Sequence, residues 1–551
     1  MLTTLPATLQ HHAHTIPDQR FVRILKSGKE IADFTFAQMW KYATQWAALF
    51  IARALTPGEA VMLALPNTEH FVGAYYGCLI AGLTPVPVAP FRQLDENDPY
   101  LHSLAARYKF INAKALIVTD EQNAILHNIA PYALILAPSL LDPQSTYSDI
   151  RSTPESIALI QFTSGTSGES KAVQLSQRAL VAQVTLLRDW FKLEDRYTES
   201  GVSWLPLFHD MGLIGFLLTP GFAGGEINLM QPEDFVLRPT LWLRAITQYK
   251  ATITGGPPSA YALVTKRVKE SDVSQYDLSS IRVALIGAEM VTRESVLGFC
   301  NKFAEAGFKP TALLPTYGLA ENSLAVTIPP LNSEPSFDTI DAVALAEGRA
   351  VPVREEAPAS VRVFASVGVP LPETVVRIVD ETGQALPDRR LGEITVRSPS
   401  LMNGYVESKS SLQDGFLYTG DLGYRADGNL YVTGRKKEMI IVGGRNYYPD
   451  DVEQLLNEVE GVRMDRAVAI GVLDVERATE RLVVLAETDR QERTERDALR
   501  MAIRQMLLQA NYPIGEVVLL RPKTIKSTLT GKLKRLDCRE RYLAGEFGDG
   551  S

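Results

Sequence analysis

Between residues 36 and 327 the chain alternates short, apolar, β-rich runs with amphipathic stretches of helical period, and this alternation leaves few folds open to it. Strands separated by helices are laid down parallel, and a parallel sheet needs apolar cover on both faces. Residues 60–64, 115–118, 251–254 and 283–286 are clear examples of such runs. The expected body is therefore a layered α/β domain. Short strands return at 375–379, 392–396, 430–433 and 439–442, which predicts a β-rich subdomain. Between them, residues 335–365 lose the pattern around a helical patch at 341–348 and read as an inserted surface element.

At 551 residues the chain is too long for one core. After Arg435 a compact set follows: helix 451–460, strands 467–472 and 482–486, helix 495–509 and strand 516–520. The expected division is a large N-terminal domain over 1–434, with 335–365 as its insertion, and a small mobile α/β domain over 435–551.

The uncharged run 71–91 is long enough to cross a bilayer. Pro85, Pro87 and Pro90, with Gly73, Gly77 and Gly82, break it into a helix, a turn and a short extended piece, so a buried unit is expected instead of a membrane span. Net charge is −8 with no basic run, which argues against a nucleic-acid partner. Cys78, Cys300 and Cys538 have no metal or redox spacing and predict buried thiols in a reducing compartment. Residues 1–10 lack a basic segment before an apolar core, so no secretory signal and a cytoplasmic location are expected. His11, His12 and His14 are expected to face solvent from an N-terminal helix.

Chemistry concentrates first in Thr163, Ser164, Gly165, Thr166, Ser167, Gly168 and Lys171. An apolar strand, 157–162, leads in, and a helix capped by Ser176 with Leu180, Val184 and Leu187 on one face leads out. Glycines let backbone N–H groups close on an anion, hydroxyls add donors, and the lysine adds charge. The stretch suits polyphosphate, although it is not a Walker A loop. Gly287-Ala288-Glu289 follows a strand and would let a flat ring approach the backbone. Thr316, Tyr317 and Gly318 put an aromatic face near Glu321, and Asp421 stands just past an expected turn. Arg435, Lys436 and Lys437 cluster at the interdomain junction, and Lys532 closes a second hydroxyl–glycine–lysine stretch. Singly, Glu321 could be a helix-terminal charge, Asp421 a turn residue and Lys532 a solvated lysine. Together they supply a polyphosphate loop, an adenine platform, a ribose-binding acid, a metal-binding acid and a mobile lysine.

In order and wording these motifs resemble the adenylate-forming superfamily of acyl-CoA synthetases, peptide-synthetase adenylation domains and luciferases, over residues 5–543. Ser170, Ala172 and Ala320 depart from the family's usual proline, glycine and threonine, and Pro258 and Ser259 stand where an Asn-Phe pair is commoner. Three phrases are most similar to fatty acyl-AMP ligases: residues 204–215, 317–321 and 444–451. The 100 residues from Glu321 to Asp421 (421 − 321) exceed what is usual in CoA-forming relatives. The surplus falls where AMP ligases carry an insertion thought to restrict the CoA-forming conformation. Phe208-His209-Asp210-Met211 lacks the Phe-Asp motif that holds an amino acid's amine.

The resemblance implies that a fatty or other carboxylic acid reacts with ATP and Mg²⁺ to give acyl-AMP and pyrophosphate. In that scheme Lys532 contacts carboxylate and α-phosphate, and Glu321 holds Mg²⁺. The 163–171 loop holds the departing phosphates, Tyr317 and Gly287–Glu289 hold adenine, and Asp421 with Arg435 holds ribose. His209 would be the third catalytic residue with Lys532 and Glu321, beside the acyl group; Asp210 and Met211, with a loop of Gly255, Gly256 and Pro257, would line the acyl pocket, and the small domain would turn about Lys437. With no carrier domain after Ser551, an acyl carrier protein would act in trans. The alternatives are an acyl-CoA synthetase and a catalytically silent adenylate-binding protein.

Overall fold

The computed structural model describes residues 3–91, 99–129, 134–163, 171–193, 199–353, 361–406, 412–442, 445–474, 479–510, 512–527 and 533–547. The centre of the large domain is a seven-stranded sheet, in the spatial order Leu313–Pro315, Val283–Ile286, Ile253–Gly256, Ser200–Ser203, Glu226–Met230, Arg20–Lys26 and Lys29–Thr35. All neighbours are parallel except the last pair, a hairpin. Val283–Ile286 is buried at every position, as a strand covered on both faces must be. A second parallel sheet orders Thr84–Pro87, Ala60–Leu63, Ala115–Ile117 and Leu134–Leu136.

The uncharged run resolves as expected. Helix Glu69–Ala81 is buried all along from Phe71 onward, the chain turns through Gly82, and Thr84–Pro87 enters the second sheet. A helix apolar on every side belongs inside a core, and this one packs on helix Phe36–Ala52. No helix among the described residues is long and apolar enough to cross a membrane. Strands Ile157–Thr163 and Lys171–Ser176, on either side of the Ser/Thr/Gly stretch, pair antiparallel, and Ser176 Oγ caps helix Gln177–Trp190 by accepting from Ala179 N. The three cysteines are buried and free.

Three expectations need correction. Gly255 and Gly256 are not in a loop: they end strand Ile253–Gly256, paired with Leu285 and Ile286, and helix Pro258–Arg267 starts almost at once. Asp421 does not follow a turn. It lies within the eleven-residue strand Phe416–Ala426, where a β-bulge redirects side chains. Finally, His12 turns inward: its Nε2 lies 3.0 Å from Phe222 O and its ring packs on Phe36, while His11 and His14 are exposed.

The β-rich subdomain is an antiparallel sheet of Val375–Val379, Gly392–Arg397, Phe416–Ala426, Leu412–Gln413 and Asn429–Arg435. The 335–365 segment is more regular than its sequence suggests. Strands Phe337–Asp341 and Val361–Ala365 pair antiparallel around the short helix Ala342–Ala346. The smaller C-terminal domain packs helices Pro449–Leu456 and Arg493–Gln509 on a sheet of Ala467–Asp474, Thr479–Glu487 and Ile514–Leu520. Its core claims Ile440, whereas Arg435 is still paired with Asp421 of the large domain, so the chain crosses between the two over residues 436–439.

Candidate active site

Open parallel sheets bind ligands beyond the carboxyl ends of their strands. Four adjacent strands of the main sheet deliver four of the predicted segments to that edge. Ser200–Ser203 runs on to His209, Ile253–Gly256 to Pro257, Val283–Ile286 to Gly287–Glu289, and Leu313–Pro315 to Thr316 and Tyr317. Gly287 is needed there for a reason other than ligand approach. A Cβ at this position would lie 2.7 Å from both the carbonyl oxygen and Oγ1 of Thr316, which closes on it from the next strand. Ala288 holds a left-handed φ of 69°. Glu289 Oε2 accepts from Ser259 N at 3.3 Å and so ties this segment to the neighbouring one.

Tyr317 faces a carboxylate other than the one its motif suggests. Its hydroxyl donates to Asp421 Oδ2 at 2.7 Å, while Arg435 Nε lies 3.3 Å from Asp421 Oδ1. Asp421 and Arg435 are register partners on adjacent strands, which explains how residues 14 apart in sequence (435 − 421) meet. Burial, then the adjacent Asp421 charge, pushes the Tyr317 phenol far above its ordinary value, so it stays a donor. A carboxylate offers about four lone-pair positions, so Asp421 can accept from more than one donor at once.

Glu321 sits in the turn Ala320–Asn322, whose next residue, Ser323, has a φ of 60°. Tyr405, which the sequence reading passed over, donates its hydroxyl to Glu321 Oε1 at 2.9 Å. Lys171 Nζ lies over the ring of that same tyrosine, 4.6 Å from its centre. Among the described residues, Glu321 Oε2 accepts no hydrogen bond, and none of their His, Cys, Asp or Glu groupings reaches three around a possible metal. One hard carboxylate oxygen fits Mg²⁺, which is usually shared between one or two carboxylates and substrate phosphates. Thr163 is the register partner of Lys171, while Ser164, Gly165, Thr166, Ser167, Gly168 and Lys532 lie outside the described residues. Lys437 is exposed in the crossing segment.

His209 Nδ1 and Asp210 Oδ1 are 2.7 Å apart, and Asp210 also accepts from Met211 N at 2.7 Å. Burial opposes the imidazolium, but the charges of Asp210 and Glu289 and the hydrogen bond outweigh it, so the His209 pKa is raised above 6.5. Burial likewise opposes the Asp210 carboxylate, and the His209 charge reverses that to leave its pKa below 3.8. Both charges are present between those two values. The contribution from His209 is full below about pH 6.5 and is lost as pH rises through the raised value. That from Asp210 is lost as pH falls through its lowered value. D210N should therefore bring the His209 titration, followed by ring-proton NMR, below that of the parent protein. An unmoved titration would refute the pairing.

An apolar cavity lies beneath the sheet, lined by Leu187, Phe191, Phe216, Ala223, Ile227 and Leu285 among others. Its lining among the described residues includes none of His209, Asp210, Met211, Gly255, Gly256 and Pro257. Its link to the predicted acyl segment is Phe216, whose ring would come within 2.8 Å of a Cβ on Gly255. No local pattern marks these residues, because the cavity walls come from helices Gln177–Trp190 and Thr219–Ala223, a π-helical stretch Met211–Leu218 and four strands.

The fold and this edge of the sheet define an adenylate-forming enzyme, one that activates an acid as its acyl-AMP. The chain belongs to the AMP-binding enzyme family, whose model matches residues 9–406. Its group within the family is that of the fatty acyl-AMP ligases. A solved structure from work on the fatty acyl-adenylate ligases of E. coli and L. pneumophila superposes with a TM-score of 0.89 at 30% identity, covering 99% of both chains. The medium-chain-fatty-acid–[acyl-carrier-protein] ligase JamA of Moorena producens is 30% identical, over 98% of this chain and 95% of its own. A Caulobacter vibrioides protein provisionally named an acyl-CoA synthetase is 32% identical, over 95% of this chain and 92% of its own.

Proposed function

We propose that this enzyme joins a fatty acid to AMP with release of pyrophosphate and then passes the acyl group to the phosphopantetheine thiol of a carrier protein acting in trans. The observation that carries the first step is the convergence of Thr316, Tyr317, Gly287, Asp421, Arg435, Glu321 and Lys171 at one edge of the main sheet. A carboxylate oxygen of the acid attacks the α-phosphorus of ATP, and the bond to the bridging oxygen breaks. Both reactants are anionic, so the site must hold them in line and offset their repulsion.

Each residue has a part in that task. Tyr317 and the Gly287–Glu289 segment flank adenine, with the Tyr317 ring held in orientation by its bond to Asp421. Asp421 and Arg435 take the ribose hydroxyls. Thr163, Lys171 and the loop from Ser164 to Gly168 take the β- and γ-phosphates, and Glu321 ligates Mg²⁺, which supplies charge neutralisation on the phosphates. Lys532 comes from the small domain to the carboxylate and α-phosphate. His209, Asp210 and Met211 border the acyl chain together with Gly255, Gly256 and Pro257. We place the hinge at Lys437, within the crossing over residues 436–439, so that Arg435 stays with the large domain and the boundary falls just after the expected 434/435.

Delivery to a carrier in preference to free CoA rests on residues 335–365. From strand Val361–Ala365 of this insertion, Arg362 reaches the small domain. It pairs with Asp451 at 2.5 Å and lies over the Tyr448 ring at 4.2 Å. Arg362 Nη1 is buried without a hydrogen-bond partner among the described residues, so the contact depends on Asp451 and the ring. Tyr448 and Asp451 belong to the phrase 444–451 that resembles AMP ligases, so two distant likenesses meet at one contact. An insertion gripping the small domain biases it toward one pose, and a few kcal/mol would depopulate the other.

The test is a panel of fatty acids with ATP, scored for pyrophosphate and acyl-AMP, then with free CoA or a holo carrier as acceptor. Acyl-AMP, little acyl-CoA and a loaded carrier are expected. R362A should leave acyl-AMP formation intact and raise acyl-CoA synthesis about tenfold, a shift of ~1.4 kcal/mol. Efficient acyl-CoA synthesis by the parent protein would make it a CoA ligase, the reading that the name of the Caulobacter relative favours. Failure to release pyrophosphate with any acid would leave only adenylate binding.

A further inference from the structure

Tyr405 lies outside every motif considered above, yet it touches both charged side chains assigned to the polyphosphate. Strand Gly404–Tyr405 adds to the outer side of Lys171–Ser176, with Gly404 opposite Gln174 and Tyr405 opposite Val173. Lys171 is two residues from Val173 and so on the same face, which makes it the diagonal cross-strand neighbour of Tyr405. The φ of Gly404 is 130°, a conformation that disfavours a side chain.

The approach is anchored at several points. Met402 N donates to Glu321 O at 2.8 Å, Ser323 Oγ to Ser400 O at 2.7 Å, and Ser398 Oγ to Asn322 Oδ1 at 2.5 Å. Segment 398–405 therefore holds the Glu321 turn by backbone and side chain alike. Resting on the assignment of Glu321 to Mg²⁺ and of Lys171 to phosphate, we propose that Tyr405 is a positioning residue for adenylation. Its hydroxyl aims the Glu321 carboxylate at the metal, and its ring seats the Lys171 ammonium over the departing phosphates.

The chemistry of each contact suits that role. With Oε1 occupied by the phenol, Oε2 is the oxygen presented to a cation, and the carboxylate loses little freedom when the ion arrives. A phenol ordinarily titrates at about pH 10, so its hydroxyl is a hydrogen-bond donor to a carboxylate in the neutral range. The ring face holds an ammonium at cation–π distance without neutralising it, which leaves the Lys171 charge available to phosphate. An acidic side chain in that place would have consumed the charge.

Y405F and Y405L separate the two contacts, and each can be read without turnover. Mn²⁺ is titrated by EPR into enzyme saturated with a non-hydrolysable ATP analogue, and pyrophosphate binding is measured by calorimetry without metal. Y405F should weaken Mn²⁺ binding about tenfold, as loss of a ligand-orienting hydrogen bond does, and leave metal-free pyrophosphate binding unchanged. Y405L should also weaken pyrophosphate binding severalfold. E321Q should weaken Mn²⁺ binding at least as much as Y405F, and adding Y405F to it should cost nothing more. Normal Mn²⁺ binding by Y405F beside weakened binding by E321Q would overturn the role of Tyr405 alone. Normal binding by E321Q would instead remove the metal assignment beneath it. Near-parental melting temperatures and circular dichroism certify that each variant is folded.

Discussion

Lys532→Ala is expected to release pyrophosphate about 10²–10³ times more slowly than the parent enzyme, because it removes a cation aimed at charge that develops in the transition state. The melting temperature should hardly move. The chain on both sides is held by contacts that do not involve this side chain. Ser527 bridges Leu533, and Lys534 N donates to Lys526 O at 3.0 Å. Arg535 follows, paired with Glu453 at 2.7 Å and with Asp450 and Glu438, and so fixes the start of the last helix. K532A should therefore still bind ATP and fatty acid, and calorimetry on the inactive variant can check that. Transfer of acyl groups from supplied acyl-AMP to a holo carrier should be much less affected, since the lysine is assigned to the first half-reaction. Near-normal pyrophosphate release by K532A would remove it from the mechanism.

Glu321→Gln is expected to have the second-largest effect. The amide keeps the size of the carboxylate and can still accept from Tyr405 through its oxygen, so the turn should survive. What is lost is the anionic oxygen, and an amide is a much poorer Mg²⁺ ligand. At limiting Mg²⁺ acyl-AMP formation should fall roughly 100-fold, within the several kcal/mol a metal contributes to such a transition state. Raising Mg²⁺ should restore part of the rate, and the fatty acid KM should change little. A Mg²⁺ titration superimposable on that of the parent would show that Glu321 acts in some other way.

The elements legible in the sequence are those stabilised by neighbours in the sequence. Val283–Ile286 and Val375–Val379 are strands at the expected residues, since each is a β-rich run bounded by turns. Ser176 caps its helix from three residues away, and 71–91 breaks where glycine and proline demand. The parallel sheet then carries the motifs after its strands to one edge, and for that reason their order alone was informative. What depends on register was hidden. A β-bulge and an antiparallel pairing, neither visible as a pattern, set Asp421 between Tyr317 and Arg435.

Tyr405 meets Glu321 across 84 residues, and Arg362 meets Asp451 across 89. Those contacts follow from which sheet edges pair and how two domains pack, and a side chain's local sequence contains neither. The amino-acid sequence by itself thus determined the layered α/β class, the two-domain order and the identity of most groups assigned to ATP. The tertiary structure alone decided which of those groups touch, because contact is set by strand register and domain packing, both products of the whole core.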